Sequence, residues 1–279
     1  MNGGIRHPVS GNIQRMARVR LITFNIAHGR GLSLYQGLHS ARYIERNLKK
    51  ITKVLTDAEV DFVAMQEVDE DSYWNKNINL VEVIRQDTPY HHSYIGLNNV
   101  RPGRQSLNYG NALLSRFPIS TRHNQPFSQV QLGGKGFMYA EVDIHGAVIP
   151  VMNLHLDFRS KWRRVEQIDQ VIDFLESRAA PGGHRLQPII CGDFNCPASR
   201  AGDAVHRLFE YLESDRHYTL MPEKARTFPA VFPTRTIDFV FMPNRFPVIR
   251  TEVLPVYVSD HRPVLVEFEA EAGTVALSS

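Results

Sequence analysis

The sequence predicts a layered α/β domain that contains more than one β-sheet. Short apolar segments recur along the 279 residues, and many are continuously apolar, as in strands that are buried on both faces. Between them, apolar residues recur at three- and four-residue intervals, which indicates helices that each cover a sheet with one face. Because strands and helices alternate irregularly and some neighbouring strands resemble hairpins, a purely parallel barrel is disfavoured.

Eight apolar segments are predicted to be strands. The first four are Val19–Asn25, Asp61–Glu67, Ala112–Ser115 and Phe137–Ile144. The last four are Val148–His155, Pro188–Asp193, Ile237–Met242 and Val264–Glu267. The fourth and fifth segments are separated only by His145-Gly146-Ala147, which predicts a β-hairpin.

Three helices are predicted between these strands. Their apolar faces consist of Ile44, Leu48, Ile51 and Leu55, of Val165, Ile168, Ile172 and Leu175, and of Val205, Leu208, Phe209 and Leu212. Each set forms a single apolar stripe, so we expect these positions to pack in the core.

A single domain covering residues 17–270 is the simplest organisation, with a loose extension at 1–16 and a tail at 271–279. The composition, 43% hydrophobic and 22% charged, is that of a globular protein and excludes a disordered chain. Two cysteines do not make a disulfide framework. Since no apolar run approaches the roughly 20 residues that span a bilayer, a cytoplasmic location without a transmembrane segment is expected. The sequence does not indicate an oligomeric state.

Polar side chains stand where many of the predicted strands begin or end. They are Asn25, Glu67, His155, Asp193 with Asn195, Asp238, and Asp260 with His261. One such residue is usually a turn former, but several at corresponding strand ends can converge on one cleft. Burying carboxylates is costly unless they are paired or bind metal. We therefore expect a hard divalent cation held by oxygen atoms, with the imidazoles free for acid–base or charge-stabilising work.

Seven segments carry a family resemblance. They are TFNI at Thr23–Ile26, QEVD at Gln66–Asp69, GNALLSRFPI at Gly110–Ile119, NLHLD at Asn153–Asp157, GDFNCP at Gly192–Pro197, IDFVF at Ile237–Phe241 and SDHRPV at Ser259–Val264. In this order they resemble the endonuclease/exonuclease/phosphatase superfamily, whose fold is that of pancreatic deoxyribonuclease. The resemblance spans about residues 19–268. It implies a four-layer α/β/β/α sandwich of two mixed β-sheets flanked by helices.

The resemblance also implies a metal site. Glu67 matches the principal metal carboxylate of the family, Asn25 the amide beside it, and Asp260 a further carboxylate of the site. The expected cofactor is Mg²⁺ or Mn²⁺.

Five further residues match catalytic positions of the family. Asp193 matches the carboxylate that orients or deprotonates the attacking water, and Asn195 the amide that contacts the scissile phosphate. His261 matches an imidazole that bonds a phosphate oxygen, and Asp238 its orienting carboxylate. His155 matches the second histidine of the deoxyribonuclease, sphingomyelinase, deadenylase and lipid-phosphatase branches.

Three residues are candidates for contact with substrate. Arg159 follows His155 closely and either faces phosphate at the rim of the cleft or belongs to a solvated first helical turn. Asn111 lies near the start of a strand, where a role in a turn is the alternative. His28 lies in the loop that follows Asn25.

These residues predict a metal-dependent phosphoesterase, most simply a nuclease-like phosphodiesterase, in which an activated water attacks phosphorus. The expected partner is a phosphodiester, either nucleic acid or a phospholipid headgroup. A phospholipid- or sphingomyelin-type diesterase or a phosphatase is the alternative, and the lipid enzymes would need an apolar rim or an interfacial helix. A non-catalytic module that binds phosphorylated ligands is the alternative from another class. Such a module is expected to lack some of the residues that match catalytic positions of the family, and all of them are present in this sequence.

Overall fold

The computed structural model describes residues 16–127, 133–178, 186–213 and 218–271. Two six-stranded sheets pack face to face, and helices cover both outer faces. This arrangement confirms the predicted four-layer α/β/β/α sandwich. The predicted extension and tail lie outside the described residues, except that Met16 begins the first strand and Glu271 ends the last.

Twelve strands and four α-helices occur in the described residues. The strands are β1 (Met16–Asn25), β2 (Phe62–Ser72), β3 (His92–Arg101), β4 (Leu107–Ser115), β5 (Ile119–Pro126), β6 (Gly136–Ile144), β7 (Ala147–His155), β8 (Ile189–Asp193), β9 (Tyr218–Met221), β10 (Asp238–Pro243), β11 (Val248–Val253) and β12 (Val264–Glu271). The helices are α1 (Ala41–Asp57), α2 (Leu80–Gln86), α3 (Lys161–Ser177) and α4 (Ala204–Glu213). Among these four, none is long and apolar enough to cross a membrane.

Both sheets are mixed, and they have the same arrangement of parallel and antiparallel strands. The strand order is β11-β12-β1-β2-β4-β3 in the first sheet and β5-β6-β7-β8-β10-β9 in the second. Each contains a parallel pair, β1 with β2 and β7 with β8, flanked by antiparallel strands. A parallel pair needs a crossover connection, and α1 and α3 supply the two crossovers.

Three apolar clusters hold the four layers together. The central cluster joins the two sheets, for example through Leu21 of β1 and Val240 of β10. One outer cluster packs α1 and α2 on the first sheet, and the other packs α3 and α4 on the second. Ile22, the neighbour of Leu21, belongs to an outer cluster. Successive residues of the inner strands are therefore buried on opposite faces, which explains the continuously apolar segments.

The eight predicted strands and three predicted helices are all present, with shifts of a few residues at their ends. The structure adds α2 and the strands β3, β5, β9 and β11. These four are the edge strands of the two sheets. Edge strands are only partly covered: β5 has one buried residue and β11 has none. They therefore lack the apolar pattern of the inner strands.

A buried ion pair fixes α4 against α3. Arg164 of α3 donates through Nε and Nη2 to the two carboxylate oxygens of Asp203, at 2.9 and 2.7 Å. Asp203 also accepts the backbone N–H of Ala204 at the start of α4, and both charged side chains are buried. Burial raises the pKa of Asp203, but the hydrogen bonds from Arg164 and Ala204 outweigh it and leave the pKa below its ordinary value.

Replacing Arg164 with Met should lower the free energy of unfolding at neutral pH by about 3–5 kcal/mol, because it leaves a buried carboxylate without its counter-charge. The pKa of Asp203 is lower in the folded state, so the pair stabilises fully above the unfolded pKa of about 4 and loses this effect as pH falls through the native pKa. Urea titrations at several pH values measure both effects. The double variant R164M/D203N, which keeps a cap for α4, should recover most of the loss; a stable single variant would show that the pair contributes nothing.

Candidate active site

The predicted polar residues converge at one edge of the two sheets. Asn25 ends β1 and pairs with Gln66 of β2, while His155 and Asp193 end β7 and β8 opposite each other. Asp238 starts the antiparallel strand β10 opposite Asp193. The carboxyl ends of both parallel pairs therefore meet at one edge, where open α/β sheets carry their ligand sites.

Asp193 lies at the centre of this cluster. It is 1% exposed, and its Oδ2 accepts a hydrogen bond from the Asn25 amide at 3.0 Å. Two imidazole Nε2 atoms flank the same oxygen, that of His155 at 3.3 Å and that of His261 at 3.8 Å. Oδ1 accepts the backbone N–H of Asn195 at 2.9 Å. Burial raises the pKa of Asp193, but His261 and His155 outweigh burial and lower it to about 2.

His261 and Asp238 form a buried pair. The imidazole Nδ1 lies 3.0 Å from both carboxylate oxygens. Burial disfavours the imidazolium, but the charges of Asp238 and Asp193 outweigh it and raise the pKa of His261 to about 10. The pair titrates as one unit. At neutral pH, His261 is a cation whose Nε2–H faces Asp193 and the site.

His155 has the opposite electrostatic environment. The ammonium Nζ of Lys135 lies 2.7 Å from Nε2 and 3.1 Å from Nδ1 of the ring. Burial and the positive charge of Lys135 lower the pKa of His155, although Asp193 and Glu67 act in the other direction. The two histidines beside Asp193 therefore differ: His261 is protonated at neutral pH, and His155 is neutral.

Glu67 reaches the site because β2 is irregular at this position. The register of β2 against β4 shifts between Met65 and Val68, and Glu67 has a φ of 54°. A bulge of this kind redirects a side chain. A non-glycine residue in the left-handed region costs of order 1 kcal/mol or more, which the surrounding structure must offset. Burial raises the pKa of Glu67, but the positive charges of His28 and Lys135 outweigh it and hold the pKa far below its ordinary range.

His28 belongs to the same cluster. Its Nε2 lies 3.6 Å from Glu67, and its Nδ1 lies 2.8 Å from the buried carboxylate of Asp69. Asp69 also accepts hydrogen bonds from the indole of Trp74 and the amide of Asn75. Burial lowers the pKa of His28, but Asp69 and Glu67 outweigh it, and the pKa is raised.

A buried amide pair joins the two sheets beneath the site. Gln66 Nε2 donates to Asn153 Oδ1 at 2.7 Å, and Asn153 Nδ2 donates to the backbone oxygens of Met65 and Ala112. Gln66 precedes Glu67, and Asn153 lies two residues before His155. Because these hydrogen bonds cross between the sheets, they fix the position of one sheet edge against the other.

The remaining predicted residues occupy three kinds of position. Asp260 lies at the site and pairs with Arg30, whose Nη2 is 2.8 Å from Oδ2. Asn195, with a φ of 54°, donates its side-chain amide to the Leu156 carbonyl at 2.9 Å. Asn111 is fully buried and donates to the Gly136 carbonyl at 3.0 Å. Its observed contact supports the backbone beside Lys135, and a contact with substrate stays a prediction.

Arg159 lies outside the buried cluster. It is exposed, and its guanidinium lies 4.9 Å from the ring centroid of Phe158. Its backbone N–H donates to Asp157 at 2.8 Å, just before α3 begins. The observed contacts are those of an exposed residue before a helix, and binding of phosphate by Arg159 stays a prediction.

The motifs in the sequence predict no functional role for Lys135, Arg30 or Asp69. The position of Lys135 could have been predicted from the hairpin. The short turn between β6 and β7 fixes the register that pairs Gly136 with His155, and Lys135 directly precedes Gly136. Asp69 ends the QEVD segment, but the segment predicts a role for Glu67 alone. Arg30 follows Asn25 in an irregular loop, and nothing in its spacing predicts a partner at Asp260.

The chemistry of the cluster fits a divalent cation. The side chain of Glu67 is partly exposed, and the nitrogen atoms of Lys135, His28 and His155 lie 3.5–3.8 Å from its oxygens. These distances leave its acceptor capacity largely unused. Side-chain atoms of Asp193, Asp238 and His261 that could contact a cation lie within 4.8 Å of one another. The protonated imidazole of His261 cannot bind a metal ion, so only the carboxylates of this group could contribute oxygen atoms. Oxygen-rich ligand sets of this kind suit Mg²⁺ and Mn²⁺.

Residues 22–261 match the sequence model of the Endonuclease/Exonuclease/phosphatase family. The chain therefore belongs to this family, whose members hydrolyse phosphate esters.

Individual proteins are also similar to this chain. An uncharacterized protein of Escherichia coli (strain K12), YbhP, is 29% identical over 188 residues, which cover 65% of this chain and 70% of that protein. A mannosyl-6-phosphatase of Bacteroides thetaiotaomicron has a similar structure, with a TM-score of 0.67 and 17% identity over 90% of this chain and 99% of that one. Sphingomyelinase C of Streptomyces griseocarneus gives a TM-score of 0.60 and 16% identity over 90% and 99%. At these identities the two structures show a shared fold.

Replacing Lys135 with Met should raise the pKa of His155, because the neighbouring positive charge disfavours the imidazolium. If hydrolysis requires neutral His155, the acid limb of the profile of kcat/KM against pH moves to higher pH. The measurement is this profile for a chromogenic phosphate ester, compared with wild type.

Lys161→Met is the matched control, since Lys161 donates to the Ala201 carbonyl outside the cluster. Its acid limb should coincide with that of wild type. An unchanged acid limb for Lys135→Met, or a limb moved to lower pH, would contradict the assigned environment of His155.

Proposed function

We propose that this chain is a divalent-metal-dependent phosphodiesterase that hydrolyses its substrate by in-line attack of water. The observation that carries the proposal is the position of Asp193, an ionised buried carboxylate between a neutral and a protonated imidazole. Hydrolysis at phosphorus needs an oriented water, a proton acceptor and positive groups facing the phosphoryl oxygens. Side chains of this cluster are suited to each of these tasks.

Glu67 is the principal residue that would hold Mg²⁺ or Mn²⁺, with Asn25 and Asp260 beside it. The bound cation would supply charge neutralisation at the phosphoryl oxygens. Asn25 Oδ1 already accepts the backbone N–H of Ala27 at 2.9 Å, so its amide is held in a fixed orientation. Arg30 keeps Asp260 close to the site.

Asp193 is suited to orient the attacking water rather than to keep its proton. A carboxylate with a pKa near 2 is a weak base at neutral pH. His155, which is neutral and 3.3 Å from Asp193, is the better acceptor of the proton. Once charged, its ring would be stabilised by the adjacent carboxylate, as in other carboxylate–imidazole pairs.

His261 and Lys135 are the positive groups that face the substrate. His261 is held by Asp238 with Nε2 toward the site, where it donates to a phosphate oxygen. The ammonium of Lys135 contacts His155 in the structure, and an anionic phosphate offers it a second partner. Asn195, on the loop after β8, would donate to the same phosphate through the second hydrogen of its amide, because the first bonds the Leu156 carbonyl.

The substrate class is a further part of the proposal. The solved relatives with this fold include a mannosyl-6-phosphatase and a sphingomyelinase, so the fold is compatible with monoesters and diesters. The nuclease-like activity and the cytoplasmic location expected from the sequence stay predictions. A panel of bis(p-nitrophenyl) phosphate, p-nitrophenyl phosphate, plasmid DNA, RNA and phospholipid vesicles, with Mg²⁺, Mn²⁺ or chelator, separates these classes.

Asp193→Asn should reduce kcat for a phosphodiester by about 10³-fold, within the 10²–10⁴ range that such groups contribute. The amide removes the negative charge that orients water and supports a charged His155. Steady-state hydrolysis of bis(p-nitrophenyl) phosphate with saturating Mn²⁺ measures the loss, and circular dichroism checks the fold.

Asp169→Asn is the control, because Asp169 is an exposed residue of α3 that pairs with Arg207. This variant should hydrolyse at the wild-type rate. Wild-type activity in the Asp193 variant, or activity that survives chelation, would overturn the proposal. If the wild-type protein binds no divalent ion and cleaves nothing in the panel, the non-catalytic binding module replaces it.

A further inference from the structure

Exposed apolar side chains are concentrated at the edge of the sheets that carries the site. Sixteen large apolar residues are exposed among the described residues, and only Met16, Val148, Val248 and Ile249 lie at the opposite edge. The other twelve lie on the loops that surround the site or at the immediately adjoining ends of helices and strands. Exposed apolar surface that is concentrated on one side of a domain is typical of a binding surface.

Two loops carry the most exposed members. In the loop between β1 and α1, Leu34, Tyr35 and Leu38 are 86%, 67% and 77% exposed. In the loop before β10, Phe232 is 84% exposed. The first loop also carries Arg30, which contacts Asp260, so this loop is joined to the proposed metal site through Arg30.

Positive charge is concentrated at the same edge. The described residues of its loops contain ten basic and four acidic residues: 26–40, 73–79, 102–106, 127, 133–135, 156–160, 194–203, 222–237 and 254–263. The loops of the opposite edge contain three of each: 58–61, 87–91, 116–118, 145–146, 178, 186–188 and 244–247. The charge asymmetry therefore follows the apolar asymmetry.

Arginine and aromatic side chains are paired on this edge. The guanidinium carbon of Arg159 lies 4.9 Å from the ring centroid of Phe158, and that of Arg262 lies 5.8 Å from the ring of Tyr257. Both rings are exposed. Such pairs present an apolar face and a cation together, as at surfaces that contact both lipid chains and headgroups.

We propose that the site-edge loops dock on an anionic phospholipid bilayer and that the site hydrolyses phosphodiesters presented at that surface. The docking stands on the exposed side chains and charges alone, while the hydrolysis of lipid rests on the proposed function. Leu34, Leu38 and Phe232 insert into the boundary between headgroups and acyl chains. The basic residues of the same loops contact the anionic headgroups.

A bilayer fits these loops better than single-stranded nucleic acid does. Nucleic acid also attracts basic grooves with aromatic side chains, since bases stack on aromatic rings. Leucine side chains offer no ring for stacking, and Leu34 and Leu38 are among the most exposed apolar residues of the surface. Contact with a polyanion would not bury these leucine side chains in an apolar environment, whereas insertion at a hydrocarbon boundary would, with a favourable free energy.

Vesicle sedimentation tests the docking in the full-length protein. Wild type, with its metal chelated so that no turnover occurs, should bind vesicles of phosphatidylglycerol and phosphatidylcholine and bind pure phosphatidylcholine more weakly. Raising NaCl from about 0.1 M to about 0.5 M should weaken the anionic component, because it screens the loops' charge. The variant L34S/L38S/F232S should bind anionic vesicles with an affinity lower by about tenfold or more, because it loses the inserted side chains.

The matched control is V148S/I249S, which removes two exposed apolar residues at the opposite edge. It should bind vesicles as wild type does. Both variants should hydrolyse soluble bis(p-nitrophenyl) phosphate at the wild-type rate, and only the loop variant should lose hydrolysis of phospholipid in vesicles.

The outcomes separate the two proposals. Wild type that hydrolyses the soluble diester but does not bind anionic vesicles overturns the docking and leaves the phosphodiesterase. Vesicle binding with no hydrolysis of any ester supports the docking and overturns the phosphodiesterase. Equal vesicle binding by the loop variant and the control overturns the docking, as does a loop variant that loses affinity for single-stranded DNA instead.

Discussion

The site depends on one constraint, which is that the carboxylate of Asp193 must be kept charged in a buried position. An isolated carboxylate in such a place would be protonated or would destabilise the fold. Asn25 and His155 reach Asp193 from two different sheets, and His261 reaches it from the loop before β12. The strands β7 and β8 approach closely here, and only glycine fits at position 192. A Cβ at Gly192 would lie 1.9 Å from the Leu154 carbonyl oxygen. At this edge, the two sheets therefore position the side chains that stabilise the charged carboxylate of Asp193.

The same arrangement gives two chemically identical side chains different protonation states. His261 has carboxylates on both sides of its ring, whereas His155 has Asp193 on one side and Lys135 on the other. Pairs of groups whose pKa values are pushed apart by their surroundings are typical of sites that perform acid–base chemistry. Left-handed backbone at His28, Glu67 and Asn195 adds local strain at this edge. Strain of this kind persists only where the surrounding contacts determine the conformation, and the hydrogen bonds around Gln66 and Asn153 are part of those contacts.

Much of the fold could be predicted from the sequence because its inner strands are buried on both faces. β1, β2, β7, β8 and β10 are recognised as continuous apolar runs, and their polar ends indicate the site. The edge strands β3, β5, β9 and β11 escape this reasoning, since their stability comes from pairing with a neighbour rather than from burial of a regular face. Lys135 could have been placed beside His155 from the hairpin register, but Arg30 and the exposed leucines of the loop after β1 depend on tertiary structure that no local pattern encodes. The position of Arg159 likewise follows from how α3 begins.

The protonation states of the two histidines test the account most directly. In ¹⁵N-labelled protein treated with EDTA, ring nitrogen shifts report whether each imidazole is charged, and His261→Gln and His155→Gln variants assign the signals. We predict that His261 stays protonated up to about pH 9, as expected for a pKa near 10, while His155 is neutral at pH 7. A neutral His261 at pH 7, or a protonated His155, would contradict the arrangement of charges around Asp193 on which the site is built.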